Sequence, residues 1–306
     1  MINPVDALKT SSLLVPTSSS SHVAPIPTVV PSPSKAYELV GDAGKKTLWV
    51  VFVIMLLSTI AFTALAWRVP VQKRLFHVLT TFITAFAAIS YFAMASGDGN
   101  SLAHFVIKES HKHVPDTATD LYRQVFWARY VDWSVTTPLL LLDLAFIAGL
   151  NGASILVAVV ADVVMILTGL FAAFGSTDGQ KWGYYAIACI AYLVIIYQLA
   201  VSGRSSAMAK DSKTGNFFTA IGGFTLIIWT VYPVVWGVGD GSRHLSVDQE
   251  IIAYAVLDVL AKPCFGFWLL FTHATLPSTN ASIEGFWSYG LGSREGTIRV
   301  GDEEGA

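Results

Sequence analysis

The chain has 306 residues, with 19 basic and 21 acidic side chains, a formal net charge of −2, 54% hydrophobic residues and only 13% charged ones. A soluble globular protein carries roughly 25% charged residues, so a disordered chain, a coiled coil and an ordinary soluble enzyme are excluded. The near-neutral balance gives no reason to expect nucleic-acid binding. Two cysteines, Cys189 and Cys264, sit inside apolar runs and read as small buried residues, not as a disulfide framework or a thiolate metal site.

In chain order, residues 1–40 are rich in Ser, Pro, Thr and Val, a composition that cannot build a core and reads as a flexible tail. A cleavable signal peptide would open on a basic segment and an apolar stretch, and this segment has neither. A bilayer needs about 20 apolar residues per helix. Seven stretches reach that length: Thr47–Trp67, Leu75–Ala95, Gln124–Leu142, Gly152–Phe174, Trp182–Val201, Asn216–Val238 and Ile251–Thr272. The fold class that follows is an all-α membrane protein, a bundle of seven transmembrane helices over residues 41–276. The connectors are short, except Ser96–Arg123, which is long enough to hold structure of its own. Residues 277–306 form a polar C-terminal tail. With the N-terminus outside, basic residues fall on both sides in similar number, so the positive-inside rule hardly decides orientation.

Four spans contain no Asp, Glu, Lys or Arg. The others hold Arg129, Asp132, Asp162, Asp258 and Lys262, and Asp143 closes one of them. Each charge costs about 2.5–3.5 kcal/mol on insertion scales, which makes these positions functional candidates by default. Lys262 lies mid-span, too deep to snorkel easily. It needs a counter-ion, deprotonation or covalent use. Asp258, four residues earlier, shares its helical face. Two readings stand: an ion pair tying helices together, or a Schiff-base lysine with a carboxylate counter-ion. In the third span, Arg129 and Asp132 are three apart and can pair, and Asp132 and Thr136 share a face. Asp132 and Asp143 are eleven apart, about 20° from the same direction and about 16 Å along the axis. Two carboxylates on one stripe suggest a proton path, the alternative being a solvent-facing Asp143 beyond one buried pair.

Trp229, Tyr232 and Trp236 form an aromatic stripe around Pro233. Such a stripe is more often core packing, but beside Trp133 and a buried lysine it suits a long, flat, apolar ligand. Asp162 reads as a carboxyl group bonded to a neighbouring helix, and His77 as a packed interfacial histidine. Asp240, Asp248 and Glu250 flank the last connector, where most acids are simply solvated.

The segments "ARYVDWSVTTPLLLLDL", "WTVYPVVW" and "LDVLAK", in that order, closely resemble helices three, six and seven of the microbial rhodopsins of the bacteriorhodopsin type. The resemblance covers all seven spans, and the Ser/Pro tail is similar to the fungal branch. It implies a light-driven outward proton pump, a transporter and photoreceptor rather than an enzyme, carrying all-trans retinal as a protonated Schiff base on Lys262. Asp132 would be counter-ion and proton acceptor, Asp258 second counter-ion, Arg129 the outward gate and Asp143 the cytoplasmic donor. Asp132, Thr136 and Asp143 match the family's outward-pump triplet, which disfavours chloride and sodium pumping. Glu250 falls on a proton-release carboxylate, whereas Asp240 aligns only across a gap. The implied retinal pocket comprises Trp133, Thr137, Leu140, Met165, Gly169, Trp229, Tyr232 and Trp236, with Ala188. Tyr185 stands where the family often places a Trp. Tyr91 and Tyr130 match tyrosines near the active site. A helix movement near Pro233 is expected to admit water on the inner side. Implied partners are protons and the bilayer, with a homo-oligomer left open. The implied location is the plasma membrane, N-terminus outside. The alternatives are a slow photosensor of the same family, a seven-helix ligand receptor, and an opsin-like protein without retinal.

Overall fold

The computed structural model describes residues 34–110 and 117–275, so the expectations for the rest of the N-terminal tail and for the C-terminal tail lie outside the described residues. Within them, seven helices are long and apolar enough to cross a membrane: α1 Asp42–Trp67, α2 Leu75–Ser96, α3 Trp127–Ala148, α4 Gly152–Ala173, α5 Asp178–Lys210, α6 Ser212–Gly241 and α7 Val247–Thr275. Each packs on the next, and α1 also packs on α7, which closes the ring. The outer face carries exposed Leu57, Ile60, Ile89, Leu156, Ile190, Leu193, Ile227 and Phe271, while Thr80, Thr84, Asp132, Asp143, Asp258 and Lys262 are buried within. Exposed apolar surface on this scale is stable only against lipid, and buried charge only against partners.

Local chemistry sets the helix ends. Asn151 accepts a hydrogen bond from the Ser154 N–H at 2.9 Å, and Asp211 accepts from the N–H groups of Lys213 and Thr214 at 2.9 Å each. Ser246 and Gln249 form a reciprocal capping box at the start of α7. Gly149, with φ of 69°, ends α3: its N–H and that of Leu150 both reach back to the Ala145 carbonyl. Three spans contain a π-turn: Gln198–Gly203, Gly237–Gly241 and Leu260–Cys264. Such single-turn widenings concentrate at functional positions.

The long connector does hold structure. Strands β2 (Ser101–Glu109) and β3 (Thr117–Val125) pair antiparallel, and β3 runs almost directly into α3. A third strand, β1 (Ser34–Glu38), pairs parallel with β3 and completes a sheet of order β1-β3-β2. This corrects the expectation of a flexible tail through residue 40: five of those residues are a strand. The Val40 N–H donates to Gln124 Oε1 at 2.9 Å and the Gly41 N–H to Asp248 Oδ1 at 2.7 Å, which ties the segment to β3 and α7. The sheet also moves the start of the third span from Gln124 to Trp127, because Gln124 and Val125 belong to β3. A second correction concerns Cys264, which is exposed on the outer face, while Cys189 is half-buried; both are free thiols.

Candidate functional site

The centre is built on α7. Pro263 lacks an N–H and cannot continue the hydrogen-bond ladder. The helix widens into the π-turn Leu260–Cys264, and Lys262 sits within it. Its Nζ is 2.8 Å from Asp132 Oδ2 on α3 and 2.8 Å from Asp258 Oδ1 one turn earlier. All three side chains are essentially excluded from solvent. An ammonium at this depth is tolerable because two carboxylates face it, and removing one partner of a buried pair typically costs about 3–5 kcal/mol.

The two carboxylates are held differently. Asp258 also accepts from Tyr91 Oη at 2.6 Å, Tyr232 Oη at 2.9 Å and Trp133 Nε1 at 3.3 Å. Asp132 makes no comparable set of bonds: its Oδ1 is buried without a hydrogen-bond partner among the described residues. Thr136 shares its face as expected, and its hydroxyl donates to the Asp132 backbone carbonyl at 2.9 Å.

From Lys262 and Asp258 a cavity extends between α3, α4, α5 and α6. It is lined by Trp133, Thr137, Leu140, Met165, Gly169, Tyr185, Ala188, Trp229, Tyr232 and Trp236, together with Tyr130, Cys189, Tyr192 and Tyr254. Every residue expected in the pocket lies on it. Tyr185 stacks on Trp236 with ring centroids 4.9 Å apart and donates to the Pro233 carbonyl at 3.0 Å. A slot lined by aromatic rings and ending at a buried amine fits a long, flat, apolar molecule attached at one end.

Asp143 lies inside α3, which continues to Ala148, rather than closing the span. It has 0% exposure, and neither carboxyl oxygen has a hydrogen-bond partner among the described residues. The solvent-facing alternative is thereby removed. Asp162 bridges helices as read from the sequence, accepting from Thr137 Oγ1 at 2.6 Å. His77 is buried near His273, ring centroids 6.4 Å apart.

At the opposite end Arg129 does not pair with Asp132. Its Nη1 contacts Glu250 Oε1 at 2.9 Å, and its guanidinium carbon lies 4.3 Å from the Tyr254 ring centroid. The i, i+3 spacing allowed the Asp132 pair, but Asp132 is committed to Lys262 on the other side. Glu250 and Asp240 are buried, not solvated, and are brought together by Arg123, which lies in the long connector ahead of α3. Burial works against the Arg123 charge, but the carboxylates of Glu250 and Asp240 outweigh it and hold its pKa above the ordinary guanidinium value. A signal was present: Leu121, Arg123 and Val125 alternate on one strand face, so the arginine lies on the apolar, inward side. Tyr254 was also missed.

The profile of the bacteriorhodopsin-like protein family matches residues 43–276. Opsin-1 of Neurospora crassa is 50% identical over 309 residues, covering 99% of this chain and all of the relative. Opsin-like protein carO of Fusarium fujikuroi is 39% identical, over 76% of this chain and 74% of its own length. Among solved structures, a light-driven proton pump from Leptosphaeria maculans superposes with a TM-score of 0.78 at 60% identity, covering 80% of this chain and 99% of that one.

Proposed function

The chain belongs to the bacteriorhodopsin-like family, and on that premise we propose that it is a light-driven outward proton pump whose all-trans retinal is held as a Schiff base on Lys262. It is an integral membrane protein, and its family implies a retinal chromophore. The observation that carries the reading is Lys262 Nζ set between Asp132 and Asp258, 2.8 Å from each, at the polar end of the aromatic cavity. The Oδ1 of Asp132, without a hydrogen-bond partner among the described residues, fits a group that must take up a proton. Bound there, retinal would supply absorption of visible light and an isomerisation that disturbs the charge balance around the Lys262 nitrogen.

The side chains divide the remaining work. Asp132 accepts the proton from Lys262, because its Oδ1 takes one without displacing a donor. Protonating Asp258 would force away Tyr91, Tyr232 or Trp133, so Asp258 remains the standing counter-ion. Arg129, held on Glu250, stands between this centre and the outer end, where Glu250 and Asp240 form the release region. Asp143 returns a proton to Lys262 from the inner side, and the leucines around it keep water out between turnovers. Trp133, Trp229, Tyr232 and Trp236 hold the chromophore flat, with Tyr185 closing the far end. On this reading the chain lies in the plasma membrane with its N-terminus outside. Asp143, buried on the acceptor's helix, favours transport over slow photosensing, and the lysine with its two counter-ions favours a chromophore over a diffusible ligand.

Illuminated vesicles or cells carrying the retinal-loaded protein test the reading. The outer medium should acidify, a protonophore should abolish the signal, and Lys262→Ala should lose the visible band. A visible band without any light-dependent pH change overturns the pump.

A further inference from the structure

One deeply buried charge lies beyond the membrane spans. The Arg123 side chain is 1% exposed although β3 precedes α3. Its Nη2 contacts Glu250 Oε2 at 2.7 Å, its Nε contacts Asp240 Oδ1 at 3.2 Å, and its Nη1 contacts Glu38 Oε2 at 2.6 Å and the Leu245 carbonyl at 3.1 Å. Three carboxylates from three separate elements therefore converge on one planar fork, the geometry guanidinium suits best. Arg129 takes the other oxygen of Glu250. Two guanidinium groups thus touch three carboxylates, which leaves one carboxylate in excess and a place for one proton. Other groups around the cluster do not neutralise it by contact in the same way: Lys181 and Arg243 lie over the Phe105 ring, 4.5 and 5.2 Å from its centroid, and Tyr254 lies against Arg129.

The three acids differ in their access to water. Glu250 and Asp240 are buried, whereas the Glu38 side chain is 36% exposed. An arginine does not give up its proton in a protein, so Arg123 organises the cluster and does not carry the proton. Strand register fixes this arrangement: Glu38 is the residue of β1 paired with Arg123 on β3.

We propose that Arg123 is a positioning residue that gathers Glu250 and Asp240 into one proton-holding group, and that Glu38 on the N-terminal strand is its outlet to the outer solution. The inference rests on the pump reading. In the step assigned here, a proton leaves the Glu250–Asp240 pair and bonds to a Glu38 carboxylate oxygen. It then passes to water, leaving the pair with its full negative charge against Arg123 and Arg129.

Flash photolysis of the full, retinal-loaded chain with a pH-sensitive dye in the bulk tests this. The absorbance change that marks loss of the Lys262 proton is the clock, and the delay until the dye responds is the readout. Arg123→Gln should lengthen that delay on the order of tenfold, the expected effect of losing hydrogen bonds to charged partners. Arg123→Lys keeps the charge without the fork and should fall between the two. Glu38→Gln should lengthen the delay with β1 still in place. A merely structural role would slow the clock and the dye together and would give no rescue by lysine. Either result, or an unchanged delay in both Arg123→Gln and Glu38→Gln, overturns the proposal. Should Arg123→Gln fail to bind retinal, the delay in Glu38→Gln decides. An unsubstituted protein that absorbs light yet releases no proton overturns the pump reading itself; a pumping protein with undelayed variants overturns only this inference.

Discussion

Two aspartates stand equally close to one lysine, and their hydrogen bonds separate their roles. Asp258 receives three further donors, while Asp132 has an oxygen with none among the described residues. If Asp132 is the counter-ion that sets the ground state, Asp132→Asn removes the negative charge that localises the positive charge at the nitrogen end of the chromophore. The visible band should move to longer wavelength and proton transport should stop. An unchanged spectrum of the retinal-loaded variant would show that Asp132 is not the counter-ion. Asp143 poses the reverse case, a carboxyl with no hydrogen-bond partner among the described residues, in an apolar setting. Asp143→Asn should slow the return of a proton to Lys262, and added azide, a small diffusible proton carrier, should restore the rate. Decay kinetics that match the unsubstituted protein would remove Asp143 from the donor role.

At the scale of elements, the helices were legible because lipid imposes long apolar runs that little else in a sequence imitates. The central lysine and its two aspartates were legible for the same reason, since charge is rare where it is costly. The sheet was not. Strand β1 has only five residues and lies in a Ser/Pro-rich segment whose composition says nothing about pairing across 84 intervening residues with β3. The i, i+3 spacing allows Arg129 to pair with Asp132, but Glu250 of α7 takes it instead, because spacing along one helix does not reveal which neighbour another helix supplies. The hydrogen bond from Thr137 to Asp162 is a case where local reading and packing agree: it joins α3 to α4 inside the bundle. Thr137→Val keeps the shape but leaves a second Asp162 oxygen without a donor, since Oδ1 already lacks one among the described residues. The loss should be about 1–3 kcal/mol, read as a lower midpoint of thermal bleaching. Thr137→Ser keeps the hydroxyl and should recover most of it; a loss in Thr137→Ser with none in Thr137→Val would mean that the methyl contacts matter and the hydrogen bond does not.

Across the whole molecule the two ends of the bundle are built from opposite materials. The end capped by the sheet carries an ion-paired cluster of Arg129, Glu250, Arg123, Asp240 and Glu38, set beyond the Asp132–Lys262 pair. The other end surrounds Asp143 with a dry cluster that includes Phe76, Leu140, Leu141, Leu144, Phe218, Ile221 and Leu269. A proton moving outward finds acceptors already in place. One moving from Asp143 toward Lys262 must cross about 16 Å of helix, the rise from Asp143 back to Asp132, through a mostly apolar region in which the Thr136 hydroxyl is already donated to its own helix. Water must enter that region for the second transfer and need not for the first. Hydrated films of the retinal-loaded protein, dried in steps and followed by flash photolysis, separate the two. Lower humidity should slow reprotonation of Lys262 far more steeply than the transfer from Lys262 to Asp132. Should both rates fall in parallel, the dry cluster is not the barrier, and the asymmetry between the two ends has no part in giving the transport its direction.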